Sequence, residues 1–368
     1  MRAAPGRNDE EGAVPCLAAI ARSVGLLGAV TPRDAHLEHA ALLADYARGH
    51  ERLPAWSYEP TGPAATRLLP LINGVAQTLS TDATPLGALY RARADEVRTE
   101  IEAVRDVGTP AFAAHASARF AASAQQVEAD ALAASWCDEA EVPGDPPTLA
   151  SDDRDPRSLV SRLRAEVARR RLPFAVRTSA SLSALAAISG DTLWVAEGRR
   201  LASLDVERTV THEIEAHALP RTRARASSVP IFAIGTAGGC DDQEGYALWL
   251  EERRGVSGPG RRRELGARHL AASQMRAGAD FVTVVRGLLT RGVTLDASLR
   301  AAERAFRGSD GTTPGLGRER VYIEAFLRVT ARLSSNAADE EVLSAGQVAV
   351  AAIDVLRPWA GAQFGVHT

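Results

Sequence analysis

Two histidines and a glutamate, His212, Glu213 and His217, lie in a stretch with helical periodicity, and five residue steps separate the imidazoles. That spacing is awkward for a helix. In a regular α-helix five steps rotate a side chain by about 500°, leaving the rings roughly 140° apart, whereas the four steps of H-E-x-x-H leave them about 40° apart. Either the rings diverge and do nothing together, or the helix widens to an i to i+5 turn that returns both to one face. Pro220 follows three residues after His217 and disfavours helical geometry in the residue before it. The sequence therefore predicts a helix starting at Leu204 or Asp205 and stopping at Pro220, with a distorted last turn over Ala216 to Leu219. An undistorted helix would remove the reason to treat the imidazoles as a pair.

If the rings converge, they suit a metal ion. Catalytic zinc takes three protein ligands from His, Cys, Asp or Glu and keeps one position for water. The third must come from elsewhere. Glu244, in Gln243-Glu244-Gly245-Tyr246-Ala247 after the Gly-rich segment Gly235 to Gly239, is the leading candidate, with Asp241 and Asp242 as rivals. Glu213 directly follows the first ligand, so it can reach the water without coordinating the ion, take its proton and pass it to a leaving amine. The chemistry expected is amide hydrolysis with one Zn2+ as cofactor. Against this, a lone helical histidine is more often a satisfied surface or core residue. With eight histidines in 368 residues, H-E-x-x-x-H arises by chance in about one such chain in a hundred, so the motif needs support from the rest of the sequence.

Charge and composition narrow the function classes. The net charge of −3 gives no electrostatic reason to expect nucleic acid or an anionic membrane as partner. Arg261-Arg262-Arg263 lacks interleaved aromatic residues and reads as the start of an exposed helix. All 43 basic residues are arginine, which excludes lysine nucleophiles and Schiff bases. Together with heavy use of Ala and Gly, that looks like a GC-rich bacterial genome. Cys16, Cys137 and Cys240 are odd in number and far apart, so neither a disulfide framework nor a Cys-type zinc site is expected, and a reducing cytoplasm fits. Cys240 reads as a small loop residue. Asp9, Glu10 and Glu11 precede the first apolar stretch and Arg22 interrupts it, which makes a poor signal peptide. No apolar run approaches the roughly 18 residues that span a bilayer.

Periodicity predicts an α+β fold, mostly α, with a small β-sheet just upstream of the histidine helix. Two helices are expected between Val14 and Arg48, the second opened by Thr31-Pro32, then helices over Ala64 to Leu79 and Pro85 to Asp106. His36 and His39 read as a solvated helix face. Residues 138–157 are acidic and Pro-rich and read as a loop or linker between an N-terminal helical part, 1–137, and a catalytic part, 158–368, the two packed as one unit. A helix from Arg157 to Arg171 follows, then strands over Phe174 to Leu185 and Thr192 to Glu197 around the Ser189-Gly190-Asp191 turn. From Gln243 onward the periodicity is again helical, broken at Gly308 to Gly317.

Several of these segments resemble one family, the QEGLA-motif proteins that include the microtubule-associated tyrosine carboxypeptidases. His212 to His217 resembles its H-E-x-x-x-H, and Gln243 to Ala247 its Q-E-G-L-A with Tyr246 in place of Leu. Ser183-Ala184-Leu185-Ala186 is similar to the strand before the zinc helix. Pro54 to Tyr58, Gly108 to Phe112, Arg304 to Gly308 and Arg318 to Tyr322 resemble further family segments in the same order. The resemblance implies a zincin-like zinc peptidase that removes a C-terminal residue from a peptide or protein tail, tyrosine in the animal members. It carries His212, His217 and Glu244 over as ligands and Glu213 as base.

The family usually has arginine three residues after the second histidine, where this chain has Pro220 and then Arg221. A fixed guanidinium for the substrate carboxylate is therefore sought first at Arg304 and Arg307, and second at Arg221, Arg223 and Arg225. Tyr322 is a candidate donor to the oxyanion. Two alternatives remain at this level: a small-molecule or peptide-maturation amidohydrolase with the same metal, and a non-catalytic binding module on the same fold.

Overall fold

The computed structural model describes residues 12–140, 146–180, 182 and 184–360. The fold is α+β and mostly α, with a small three-stranded sheet and a two-stranded pair among the described residues. It divides into two compact units, one holding the chain up to Glu139 with Arg262–Glu324, the other Ala140–Arg261 with the residues from Ala325. No helix among the described residues is long and apolar enough to cross a membrane.

The first unit is helical. Thr84 caps Pro85–Arg105 by accepting from the Gly87 N–H, and Asp280 and Thr294 do the same for Phe281–Thr290 and Leu295–Phe306. Phe281 and Phe306 meet edge-on at 5.8 Å within a core that also takes Leu42, Leu288 and Leu299. Thr31-Pro32 does not open a helix. The next helix is Ala35–Ala47, entered through a left-handed Asp34 (φ 51°), because the Arg33 N–H is held by the Ser57 carbonyl at 2.8 Å. His39 is not solvated either: its Nδ1 lies 2.9 Å from Glu303 and its Nε2 3.0 Å from Asp296.

The second unit contains the sheet. Strand β1, Leu149–Ala150, lies within the stretch expected to be loop and pairs antiparallel with β5, Arg200–Leu201; residues 141–145 of that stretch lie outside the described residues. Strands β2 (Ala175–Ser179), β3 (Ala186–Ser189) and β4 (Thr192–Ala196) are ordered β2-β4-β3. β2 runs parallel to β4, while β3 and β4 form a hairpin through Gly190, whose φ of 56° suits glycine. The strand expected over Phe174 to Leu185 is thus only β2. Ser183 lies outside the described residues, and the segment it begins leads into β3.

From Ser203 to Ala226 the chain is helical without a break, in three successive segments: α-helical Ser203–Val210, π-helical Thr211–Ala218 and α-helical Leu219–Ala226. Val206, Val210, Ile214 and Ala218 recur every fourth residue and form one stripe. It packs against Leu193 and Val195 of β4 and Leu159 and Leu163 of helix Leu159–Arg169. Burying a side chain such as Ile214 contributes roughly 1.5–3 kcal/mol, so tertiary packing rather than local propensity holds the widened turn. Helix Gly239–Arg253 packs beside it and against Val321–Ser335 at Gly245, where an added Cβ would fall 2.3 Å from the Ala325 carbonyl carbon.

Candidate metal centre

The π-helical segment spans the whole histidine motif rather than its last turn. Its register is visible at the exit, where the Leu219 N–H donates to the Ile214 carbonyl five residues back. The effect is to bring the His212 and His217 rings to a centroid distance of 4.9 Å, tilted by 60°. Pro220 does not end the helix, which runs on to Ala226 with proline in the first turn of its last segment. A proline ring is excluded from a helix interior by its clash with the carbonyl four residues earlier. One extra residue in the preceding turn moves that carbonyl aside, so the widening removes the obstacle that the expected stop assumed.

Glu244 completes the group. His212, His217 and Glu244 each offer a donor atom, and the three atoms lie within 4.8 Å of one another. His212 Nε2 and Glu244 Oε2 are 3.5 Å apart, with both side chains 15% exposed, so solvent reaches them. Donors about 2.0–2.1 Å from a tetrahedral zinc stand roughly 3.4 Å apart. One pair stands at that spacing and all three donors lie within 4.8 Å, so two imidazoles and a carboxylate suit a zinc ion with one position left for water. Asp242 is committed elsewhere: it accepts from Arg328 Nε at 2.8 Å and from the Val350 N–H at 2.7 Å. Asp241 is buried and does not join the donor group.

Electrostatics favour a cation here. Burial works against charge on His212, but hydrogen bonds to Glu244 and Glu251 outweigh it and raise its pKa to about 10. Burial lowers His217 to about 4, with Glu244 only partly opposing. Burial is also the largest influence on Glu213 and, with Glu244 adding repulsion, lifts its carboxyl to about 7. Three carboxylates around two imidazoles make a negative field that a divalent ion would satisfy.

Glu251 was not foreseen from the sequence. It is fully buried, accepts from His212 Nδ1 at 2.8 Å, and is approached by Arg261 Nε at 3.4 Å. Arg261, expected on an exposed helix, is instead largely covered. The signal available was spacing, because Glu251 stands seven residues, two helical turns, after Glu244 and shares its face.

Arg221 has no hydrogen-bond or ion-pair partner among the described residues. Burial pulls its pKa down, partly offset by Cys240 and Glu213. Arg223 is held by Ser344 and Arg225 by Asp191. In the other unit, Glu319 is 3% exposed and pairs with Arg268, with Arg304 Nη1 at 3.8 Å. Burial lowers Arg307 to about 10, and Arg304 adds to the effect. The Tyr322 hydroxyl accepts from Arg318 at 3.0 Å, and Arg268 lies 4.5 Å from its ring centroid.

The sequence profile of a family described as microtubule-associated tyrosine carboxypeptidase matches residues 46–363. No curated protein matches the chain.

Proposed function

Because the chain belongs to the microtubule-associated tyrosine carboxypeptidase family, a carboxypeptidase-like family, we propose that it is a zinc carboxypeptidase with a zincin-like core. The observation that carries this reading is the convergence of His212, His217 and Glu244, with Glu213 buried beside them. Those three residues would hold the zinc ion. When bound, the ion supplies Lewis-acid activation of water and of the scissile carbonyl near neutral pH.

The chain's own residues do the rest. Glu213 takes the proton of the attacking water on its carboxylate as the oxygen–carbon bond forms, and delivers it to the amide nitrogen as the carbon–nitrogen bond breaks. Arg221, a largely buried guanidinium near Glu213, is suited to hold the terminal carboxylate of the substrate by two parallel hydrogen bonds. For Arg304 and Arg307 in carboxylate binding and Tyr322 as oxyanion donor, the proposal rests on their sequence motifs. Peptides or protein tails are the substrate class, and those ending in tyrosine come first to trial, given the family's description. The three cysteines are free thiols, which supports a cytoplasmic location.

The test is metal analysis of the purified chain together with mass spectrometry of peptides incubated with wild type and Glu213→Gln. We expect about one zinc per chain in both, loss of the C-terminal residue with wild type, and a rate about 10²–10⁴-fold lower for the variant. A wild type that takes up no stoichiometric zinc, or a variant as active as wild type, would overturn the proposal.

A further inference from the structure

The three residues between Glu213 and His217 are not donors, yet each is committed. Ile214 joins the apolar stripe that faces the sheet, Ala216 is fully buried, and Glu215 turns to a different side of the helix. There two arginines share its carboxylate. Arg254 spans both oxygens, with Nη2 2.9 Å from Oε2 and 3.2 Å from Oε1 and with Nε 3.3 Å from Oε2, while Arg170 Nη2 donates to Oε1 at 3.2 Å. Each arginine marks the end of another helix. Arg254 directly follows Gly239–Arg253, which carries Glu244 and Glu251, and Arg170 directly follows Leu159–Arg169, where Glu166 accepts from its Nε at 2.9 Å.

Helix Gly239–Arg253 and its end thus meet the π-helical turn at two levels. At the first, Glu244 and Glu251 flank His212 at 3.5 and 2.8 Å. At the second, three residues along the turn, Arg254 grips Glu215. One contact would let the two helices pivot about it, whereas two fix the angle between them. The Glu215 side chain is 17% exposed, and a bidentate pair within a network is the case in which a partly exposed ion pair still counts. A return to α-helical register would swing the imidazoles roughly 140° apart and turn Glu215 relative to both arginines. The ion pairs and the convergence of the rings therefore stand or fall together.

We infer that Glu215 is a positioning residue, whose ion pairs with Arg254 and Arg170 hold the π-helical turn in the register that brings His212 and His217 together. The inference rests on the zinc site proposed above. Glu215 touches neither the ion nor the substrate in this reading; it acts by keeping the metal-free turn ready to bind.

The experiment uses the full chain, with Zn2+ affinity read by competition against a chromophoric chelator well below the melting temperature, and melting read without added metal. Glu215→Gln keeps one accepting oxygen but loses the charge. It should bind zinc about 3- to 10-fold more weakly, because the ion must select a smaller competent population. Arg254→Met should weaken zinc in the same direction, and Arg254→Lys should recover only part of the loss, since an ammonium cannot bridge both oxygens. The double variant Glu215→Gln with Arg254→Met should bind zinc as Glu215→Gln does, because Arg254 acts through Glu215. A merely structural role would lower melting and leave affinity at the lower temperature unchanged. That result, or additive losses in the double variant, would overturn the positioning role while leaving the zinc site standing. A wild type that binds no zinc is a separate outcome, and it removes both.

Discussion

Replacing Gly245 by alanine tests how closely helix Gly239–Arg253 must approach its neighbour. An alanine Cβ would lie 2.3 Å from the carbonyl carbon of Ala325, 2.5 Å from its oxygen and 2.7 Å from its Cβ. Ordinary carbon contacts begin at about 3.5 Å, so the helices must part by about 1 Å, and the atoms in the way are backbone that cannot rotate aside. Overpacking of this kind costs about 1–3 kcal/mol, and a backbone obstacle puts Gly245→Ala at the upper end. Gly→Ala inside a helix otherwise stabilises by roughly 0.5–1 kcal/mol. The net expectation is a loss of about 2 kcal/mol, or roughly 4–8 °C in melting temperature. Glu244 is the adjacent residue, so zinc affinity should fall with it. The control is Gly74→Ala, in an exposed helical position with nothing within 4 Å of the new Cβ, which should melt slightly higher than wild type. Thermal melts of the three proteins side by side decide the matter: a Gly245→Ala chain as stable as wild type would refute the close-approach reasoning.

Excess zinc should raise the melting temperature of the metal-free chain, the ion contributing about 2.7 kcal/mol at a hundred times its dissociation constant, and His212→Ala should abolish the response in the same scan. Glu319 provides a pH test. Burial alone would raise its carboxyl, but Arg268, Arg304 and Arg307 outweigh burial and hold it at about 2 against an ordinary 4.5. A depressed folded-state pKa contributes stability that is present above pH 4.5 and lost as pH falls toward 2. Glu319→Gln removes the buried charge facing Arg268, leaving it the half-exposed Glu264 at 3.2 Å, and should cost about 3 kcal/mol near neutrality. In urea titrations the gap between wild type and variant should narrow below pH 4.5, and a constant gap would contradict the assignment.

His212, Glu213 and His217 were legible because their chemistry is contiguous, and Glu244 because it sits in a compact acidic motif after a glycine-rich turn. Glu251 was not, since one carboxylate two turns along a helix resembles any solvated glutamate until its burial is known. Pro220 misled for a different reason: the rule that proline ends a helix presumes α-helical register, and that register is what the motif abandons. Strand β3, Ala186–Ser189, lacks the β-branched density that marks strands and takes its conformation from pairing with β4. The place of Arg262–Glu324 in the first unit depends on contacts such as His39 with Glu303, between residues too far apart in sequence for local patterning to reveal.

The unbroken helix from Ser203 to Ala226 also says how such a motif can arise and be undone. A π-helical turn is an α-helical turn that has accepted one more residue without changing what lies before or after it. The extra residue and the distortion are one event, and neither is stable without the other. Deleting a single residue between Glu213 and His217 would return the histidines to the four-residue spacing of a regular α-helix, their rings still on a common face, and would restore the clash by which Pro220 ends such a helix. The spacing of the two imidazoles can thus change by one residue along their own helix while both stay on one face.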